Sequence, residues 1–418
     1  MKVAFATYDS PRDVGGVSAW MQRLLPLLKT AGVDVDVHVM ALDGKPAINC
    51  AFFREHGITV RWIPWQMHLP STVRCFLKLL EESQPDVYVP NCMVPAYFAA
   101  GYARRSGIPT VAVLHSDDPF YWALVEEFIK GRPEFRVSAT VPVSSFLEAE
   151  VGSAAAALGL TVRRIGCGVP IPAKSAEPPG SVFRLVYVGR LVEEQKRISD
   201  VAAALCGAAQ RIENLEAWIV GEGSARQGVE GVIRSKGNGR VRLLGRIDNA
   251  NIYDVLSQCH GLVLLSDYEG LPVSVLEAMA TGVVPICLDA RSGIREILVN
   301  GVNGLIVKNR TDDFFNAVRA LSDPVYWQSL SLRARETVAK CFSIENCARQ
   351  WLSLLRDLNC ERKERLSFKA PHVLRLPPRN PKFGHYDVRL SWRRRIRNYV
   401  RSVPAIHEVA KATLSIWR

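Results

Sequence analysis

Two arrays of alternating strand and helix patterns constrain the fold of this chain more than any other feature. Apolar runs typical of buried strands precede stretches with apolar residues at helical spacing, as where 3–7 precedes 17–28. The other strand patterns of the first array lie at 33–40, 87–90, 110–114 and 140–143. Those of the second array lie at 184–188, 215–220, 240–244, 261–265, 283–287 and 304–307. Such alternation predicts a doubly wound parallel sheet in each half.

A proline-rich segment separates the two arrays. Prolines occupy positions 170, 172, 178 and 179, which is typical of a linker. A chain of 418 residues is also too long for one ordinary core. We therefore predict two α/β domains, 1–170 and 181–343, joined by a linker at 171–180. Clefts between such domains are common ligand sites.

Two carboxylates frame the connection that follows the apolar run 261–265. The sequence from Glu269 to Glu277 is Glu-Gly-Leu-Pro-Val-Ser-Val-Leu-Glu. Pro272 suits the first position of a helix and Gly282 its end, so Glu269 lies in a loop and Glu277 one to two turns into the helix. Residues eight apart on a helix differ by roughly 80° around its axis, so both side chains can address one cleft. Carboxylates accept hydrogen bonds from hydroxyls, and free amides at a helix start bind anions.

This pattern resembles the Glu-x7-Glu signature of the retaining glycosyltransferases of family 4, which have the GT-B fold. The resemblance covers roughly residues 1–358 and is most specific between 189 and 307. It implies two facing Rossmann-like domains with a central cleft, the first for the acceptor and the second for the donor. It also implies a helix at 344–360 that crosses back to the first domain.

The resemblance further assigns a substrate and its contacts. The donor would be a nucleotide-diphosphate-sugar, usually linked to UDP or GDP. Glu269, with the amides of Gly270 and Leu271, would hold the donor sugar, and Glu277 would hold the ribose. Pro272 has no amide hydrogen and would only shape the turn.

A Gly-Arg-Leu sequence at 189–191 follows the strand pattern 184–188, and Lys196 lies six residues after Arg190. Strand ends face the cleft in such folds, where an Arg and a Lys can neutralise a diphosphate before and during its departure. The element resembles the Gly-Arg-Leu…Lys element of the family. The family often has Gly after the lysine, whereas this chain has Arg197. Two solvated surface cations are the alternative interpretation.

Two glycine-containing loops complete the predicted donor site. Gly293 opens a helix, where a phosphate can approach backbone amides; the family usually has a glycine pair here, and this chain has Ser292 before it. Glu296 either contacts the donor or favours the positive end of its own helix, and we prefer the latter. Gly15 and Gly16 do not form a dinucleotide fingerprint. By the resemblance their loop lies near the donor phosphates and the acceptor, and otherwise it is a tight turn.

His115 ends the strand pattern 110–114 and opens a loop with Asp117 and Asp118. By the resemblance His115 faces the donor sugar near the reacting carbon. A histidine there can donate a hydrogen bond to a sugar hydroxyl or to developing charge. The catalytic residues are therefore predicted as Glu269, His115, Arg190 and Lys196. Asp117 and Asp118 could instead touch the acceptor.

We predict neither a metal ion nor a cofactor, since the nucleotide-sugar is itself a substrate. Asp34-Val35-Asp36 resembles a metal-binding DxD motif. It lies in the period-two run 33–39, which predicts that both aspartates share the solvent face of a strand.

The net charge of +12 is concentrated in residues 361–418. That segment contains fifteen Lys or Arg and four Asp or Glu, a net +11. A helical apolar stripe surrounded by arginines is formed by Trp392, Ile396, Tyr399, Val400 and Val403. A basic amphipathic helix of this kind lies on anionic membrane surfaces, so 389–418 is the predicted contact; docking on the body of the protein is the alternative. No nucleic acid is expected, because no recognised binding module accompanies the charge.

The scattered cysteines and the polar start of the chain bear on its location. None of the ten cysteines forms a CxxC pair, and several lie in apolar runs, which favours buried thiols in a reducing cytosol. Residues 1–10 begin a strand rather than a signal peptide, and no apolar run is long enough to span a bilayer. We expect a cytoplasmic protein, held peripherally at the inner face of a membrane if the tail binds there.

The family resemblance implies that this chain is a retaining hexosyltransferase. It would move a hexose-type sugar from a UDP- or GDP-linked donor to a hydroxyl of a saccharide or lipid-linked saccharide, in cell-surface polysaccharide or glycolipid synthesis. A UDP-sugar epimerase that does not hydrolyse its product is one alternative. A non-catalytic nucleotide-sugar-binding protein is the other.

Overall fold

The computed structural model describes residues 1–11, 15–66, 68–249, 251–361, 367–377 and 381–386. Within them the chain forms two α/β domains, each built on a parallel sheet packed against helices.

The first domain has strands and helices in alternation. Its strands are β1 (Lys2–Asp9), β2 (Asp34–Ala41), β3 (Thr59–Pro64), β4 (Val87–Val89), β5 (Val111–Leu114), β6 (Ala139–Pro142) and β7 (Thr161–Val162). Its helices are α1 (Gly16–Thr30), α2 (Ile48–Glu55), α3 (Leu69–Ser83), α4 (Val94–Arg105), α5 (Pro119–Leu124) and α6 (Ser145–Ala157), with a π turn at Val125–Ile129 and a 3-10 turn at Pro133–Phe135. A bridge between Tyr88 and Thr110 joins the sheet β3-β2-β1-β4 to the sheet β5-β6-β7.

The second domain repeats the alternation. Its strands are β8 (Phe183–Val188), β9 (Leu215–Val220), β10 (Val241–Gly245), β11 (Gly261–Leu264), β12 (Val284–Leu288) and β13 (Leu305–Val307). Its helices are α7 (Ile198–Arg211), α8 (Arg226–Lys236), α9 (Ile252–Leu256), α10 (Val273–Ala280), α11 (Ile294–Ile297), α12 (Asp312–Leu321) and α13 (Pro324–Cys341).

Both sheets reverse their strand order near the middle. The order β10-β9-β8-β11-β12-β13 reverses between β8 and β11, and the first sheet reverses between β1 and β4. Ligands of open parallel sheets bind at such switch points, outside the carboxyl ends of the strands. Arg190 and Glu269 follow β8 and β11, while Gly15 and Gly16 follow β1, and all four line one cleft. The predicted pair of facing Rossmann-like domains is therefore confirmed.

The burial of strand β2 corrects one prediction from the sequence. Asp34 is exposed, but every later residue of this strand is buried, including Asp36 at 1% exposure. The reason is that β2 lies between β1 and β3, and parallel sheets covered on both faces have no solvent face. Asp36 accepts a hydrogen bond from Nε of Arg61 at 2.8 Å. The prediction that both aspartates share a solvent face is therefore wrong for Asp36.

The last α-helix of the described residues, α14 (Ile344–Cys360), packs on the first domain. Its Trp351 ring lies 5.5 Å from that of Trp20 and 6.2 Å from that of Phe5. The chain crosses between domains at 169 and 343, where Val169 and Ser343 form a bridge.

The described part of the segment 361–418 also packs on the first domain. Phe368 and Phe383 are buried, and the Phe383 ring lies 6.1 Å from that of Phe128. The Tyr102 hydroxyl donates to the carbonyl of Arg375 at 2.6 Å and accepts from its amide at 2.8 Å. The amphipathic stripe predicted at Trp392, Ile396, Tyr399, Val400 and Val403, and the rest of 389–418, lie outside the described residues.

All ten cysteines lie within the described residues, and none forms a disulfide. In the same part of the chain, no helix has the length and apolar character needed to cross a bilayer.

Candidate functional site

A cleft of about 380 Å³ opens between the two domains. Of the predicted site residues it is lined by Gly15, Gly16, His115, Arg190, Lys196, Glu269, Leu271 and Glu277. The other two predicted residues, Gly270 and Gly293, lie at the contact between the domains beside it. The structure thus brings together residues that are as far as 262 positions apart in the chain.

Glu269 lies at the centre of a polar network in this cleft. Its carboxylate is buried and forms an ion pair with Lys196. Gln195 donates from Nε2 to Oε2 of Glu269 at 3.3 Å and to the carbonyl of Tyr268 at 3.0 Å. Arg190 donates to Oε1 of Gln195 at 3.0 Å. The Gln195 amide therefore links Arg190 to the Glu269 carboxylate, which Lys196 contacts directly.

The loop between β8 and α7 positions Arg190 and Lys196. Tyr187 donates from its hydroxyl to the carbonyl of Arg190 at 2.8 Å, and Asp267 donates its amide to the carbonyl of Gln195 at 2.9 Å. Arg197, at the position where family members often have glycine, has a φ of +50°. That left-handed conformation disfavours residues with a side chain, so the departure from the family pattern carries backbone strain.

Two helices direct their amino termini at the same cleft. Helix α1 begins after Gly15 and α10 begins after Pro272, and neither has a side-chain cap. The first residues of both helices line the cleft. Free amides and the helix dipole make each end attractive to anions. With Arg190 and Lys196, this edge of the cleft is suited to a diphosphate.

Glu277 is paired with a residue of the other domain that the sequence reasoning missed. Its Oε1 forms an ion pair with Arg23 of α1, and both side chains are largely buried. The one available signal was weak: a single arginine within the apolar helix 16–30, between buried Met21 and Leu24. Sequence position alone could not show that this arginine meets a carboxylate 254 residues away.

His115 lies at the cleft with one ring nitrogen already engaged. Its Nε2 is 2.9 Å from Oδ1 of Asn91, whose Nδ2 donates to the thioether of Met21 at 3.4 Å. Because a thioether only accepts, the Asn91 oxygen faces His115, and Nε2 is the protonated nitrogen. Burial lowers the pKa of His115 to about 3, so the ring is neutral. Its Nδ1 can therefore accept a hydrogen bond, whereas the donor role expected from the sequence would require Nε2 to leave Asn91.

Gly270 and Gly293 permit the two domains to touch. A Cβ atom on Gly270 would lie 2.6 Å from the carbonyl carbon of His115 and 2.9 Å from Cα of Ser116. A Cβ on Gly293 would lie 2.8 Å from Cβ of Ser144. Real Cβ atoms essentially never approach closer than 3.0 Å, so the cleft closes this far only with glycine at these positions. The amide of Gly293 also donates to the carbonyl of Gly270 at 2.8 Å.

Three acidic residues considered from the sequence have structural partners. Glu296 lies in the first turn of α11, yet it accepts a hydrogen bond from the Ser145 amide at 2.5 Å and pairs with Arg164, so it joins the domains.

Asp117 pairs with Arg291 at 2.9 Å, and burial raises the pKa of its carboxyl group. Asp118 caps α5 by accepting from the amides of Phe120 and Tyr121. Asp118 also lines the cleft, and both of these hydrogen bonds use its Oδ1. Among the described residues, no group of three or more His, Cys, Asp or Glu side chains is placed to hold a metal ion.

Comparisons with known proteins agree with this architecture. A family profile described as Glycosyltransferase Family 4 matches residues 14–170, and one described as Glycosyl transferases group 1 matches 182–323. The lipopolysaccharide 1,6-galactosyltransferase of Escherichia coli K12 is 26% identical over 246 residues, which are 56% of this chain and 64% of that enzyme. The enzyme of the same name from Salmonella typhimurium is 32% identical over 170 residues, 38% of this chain and 45% of its own.

The match therefore spans less than two thirds of either galactosyltransferase. Among solved structures, Anabaena HepE in complex with UDP and glucose superposes with a TM-score of 0.68 at 16% identity, covering 85% of this chain and 100% of that one. At that identity the likeness concerns the fold. The two profile matches together span both domains and every predicted site residue. The chain belongs to the family 4 glycosyltransferases of the GT-B fold.

Proposed function

We propose that this protein is a retaining glycosyltransferase that uses a nucleoside-diphosphate sugar. It moves a hexose-type sugar from a UDP- or GDP-linked donor to a hydroxyl of a saccharide or lipid-linked saccharide. The observation that carries the proposal is the Glu269–Lys196 ion pair beside Arg190, in a cleft where two helix amino termini converge. Family membership and the curated galactosyltransferases named above support the same reading.

The proposed contacts follow from the charges in the cleft. The diphosphate is bound by Arg190, Lys196 and the amides at the starts of α1 and α10. These groups balance its negative charge without a metal ion. Glu269 accepts hydrogen bonds from the hydroxyls of the donor sugar, with the amides of Gly270 and Leu271 beside it. The structure of Anabaena HepE in complex with UDP and glucose, a protein with the same fold, supports UDP as the first donor nucleotide to test.

In the proposed reaction the acceptor hydroxyl attacks the donor sugar from the same face of the ring that the diphosphate leaves. The bond between the anomeric carbon and the diphosphate oxygen breaks, and its electron pair stays on the diphosphate. The acceptor oxygen bonds to the anomeric carbon on the same face, and its proton passes to the leaving phosphate oxygen. Arg190 and Lys196 stabilise the charge that develops on the diphosphate. No enzymic base is required, and the anomeric configuration is kept.

His115 would act as a neutral group beside the sugar. With Nε2 donating to Asn91, its Nδ1 accepts a hydrogen bond from a sugar hydroxyl. The Asn91 contact thus sets which role the imidazole can take.

We also propose that the acceptor is carried at the inner face of a membrane. The net +11 of residues 361–418 supports this, since each Lys or Arg near an anionic surface contributes about 1 kcal/mol of attraction. The segments 367–377 and 381–386 pack on the first domain, the predicted acceptor domain. A membrane-bound tail would therefore emerge from the domain that receives the acceptor.

A two-stage experiment tests the function. Thermal shift with a panel of UDP- and GDP-sugars identifies the donor, and NMR then follows its consumption with saccharide acceptors, with and without EDTA. We expect one donor to stabilise the protein, an acceptor-dependent product with unchanged anomeric configuration, and no effect of EDTA.

Three outcomes would contradict the proposal in different ways. Interconversion of the nucleotide-sugar without any acceptor indicates the epimerase. Donor binding without transfer or hydrolysis indicates a non-catalytic binding protein. Inversion at the anomeric carbon keeps a glycosyltransferase but removes the same-face mechanism.

A further inference from the structure

Arg23 and Glu277 form an ion pair that joins the two domains across the cleft. Arg23 lies on α1 and Glu277 on α10, and their side chains are 12% and 8% exposed. Glu277 lines the cleft, whereas Arg23 is not among the residues that line it. The amino termini of both helices border the proposed diphosphate site, so the pair lies between the domains at the donor end of the cleft.

The stability of the fold does not account for this arrangement. Nη1 of Arg23 is buried and has no hydrogen-bond partner, and the hydroxyl of nearby Tyr253 is in the same state. A buried donor without a partner destabilises a protein, and buried ion pairs often contribute no more than apolar residues of the same volume. Buried polar groups without partners therefore call for an explanation other than the stability of the fold, and their place beside the cleft offers one.

The pair leaves Glu277 able to bind a ligand. Arg23 takes Oε1, and each carboxylate oxygen has two lone pairs, so Oε2 and the second lone pair of Oε1 can accept from hydroxyls. The guanidinium also fixes the orientation of the carboxylate and balances its charge. A vicinal diol supplies the two donors that such a carboxylate accepts.

We propose that Arg23 is a positioning residue for recognition of the donor ribose. It orients the Glu277 carboxylate and balances its charge, and because it belongs to the other domain, it does so only when the cleft is closed. Ribose recognition and domain closure are therefore coupled, and separating the domains withdraws the support of Glu277. This inference rests on the proposed function and on the role that the family resemblance implies for Glu277, which is to bind the donor ribose.

Ribose discrimination measures the role directly. Calorimetry compares the affinity of UDP with that of 2′-deoxy-UDP and 3′-deoxy-UDP, with the corresponding guanine nucleotides if GDP binds more tightly. A hydrogen bond to a charged group is lost in the deoxy ligand, so the native protein should prefer UDP by about ten- to a hundredfold. Arg23→Met should bring this ratio below about threefold, as should Glu277→Gln.

Two further variants serve as controls. Arg23→Lys keeps the charge but not the planar fork, so it should restore part of the discrimination. Arg54→Met removes an exposed arginine from the same domain. This variant should prefer UDP over its deoxy analogues by the same factor as the native protein. Thermal melting checks that each variant is folded. If Arg23→Met is not folded, the ratio of affinities for UDP and the deoxy analogues is compared between Arg23→Lys and the native protein.

The outcomes separate this inference from the proposed function. If the native protein binds UDP and both deoxy analogues equally, Glu277 does not recognise the ribose and the assignment on which the inference rests fails. If the native protein discriminates and folded Arg23→Met and Arg23→Lys discriminate equally well, the role of Arg23 is overturned while that of Glu277 stands.

Discussion

Replacing Gly270 with alanine should open the cleft without unfolding either domain. The added methyl group would lie 2.6 Å from the carbonyl carbon of His115, and closer still to its oxygen. Both obstacles are backbone atoms of the other domain, so no side-chain rotation relieves the clash. The two backbones must separate by roughly 1 Å, and a displacement of that size at a reacting centre costs about a hundredfold in rate.

The separation is cheaper than unfolding because it occurs between domains. Forcing a methyl group into a packed core costs about 1–3 kcal/mol, but here the domains can relax by moving apart. We therefore expect the midpoint of thermal unfolding to change little. The radius of gyration measured by X-ray scattering with bound nucleotide should increase, and kcat should fall by about two orders of magnitude.

Gly231→Ala is the matched control. Gly231 lies inside α8, where a Cβ meets nothing within 4 Å. The same substitution should there leave turnover intact and stabilise the protein by about 0.5–1 kcal/mol. If Gly270→Ala retains at least half of the native turnover, with unchanged scattering, the contact between Gly270 and His115 does not define the active arrangement.

Four further predictions concern the site, the core and the tail. Glu269→Gln should reduce turnover about ten- to a hundredfold with an unchanged circular dichroism spectrum, since an amide replaces one accepting oxygen; near-normal turnover would exclude its role. Arg190→Ala and Lys196→Ala should each weaken the binding of UDP, measured by calorimetry, far more than the binding of uridine. The two losses in binding free energy should not add, because both cations contact one anion. If UDP and uridine lose affinity equally, neither side chain contacts phosphate. Burial lowers the pKa of His38 to about 3, so below about pH 6.5 the unfolded chain binds a proton at this residue and the folded chain does not. The free energy of unfolding therefore decreases as the pH falls. In denaturant titrations, His38→Leu should reduce this pH dependence by up to about 1.4 kcal/mol per pH unit. Deleting 387–418, which spares the packed Phe383, should release the protein from anionic vesicles at low salt; if the full chain never binds them, the membrane role fails.

The fold could be predicted because its signal is local. Continuous apolar runs such as 261–265 and 283–287 mark buried parallel strands, and both appear in the structure within a residue or two. The one clear error, Asp36, came from applying the same local logic to an alternating pattern. Burial there depends on which strands flank β2, and neighbours in a sheet are decided by topology rather than by the residues of the strand itself.

The candidate site was predictable only within each domain. Glu269 and Lys196 belong to the second domain and follow adjacent strands, so a switch point brings them together once the sheet forms. Gln195, which connects Arg190 to Glu269, is one polar residue between two charged neighbours, and nothing in its local sequence distinguishes it. Family resemblance supplied the first two residues but had no reason to supply the third.

Contacts between the domains are the part of the site that local sequence predicts least well. The groups proposed to act on the donor meet at these contacts. The Glu269 network belongs to the second domain and His115 to the first, and Gly270 lies against the backbone of His115. The Arg23–Glu277 pair crosses the same gap. Each half-site is rigid because it is built on strand ends of one sheet, but the complete site exists only while the domains are closed. Donor binding should therefore be tightest in the closed form, since by linkage a ligand that contacts both domains stabilises the state that brings them together.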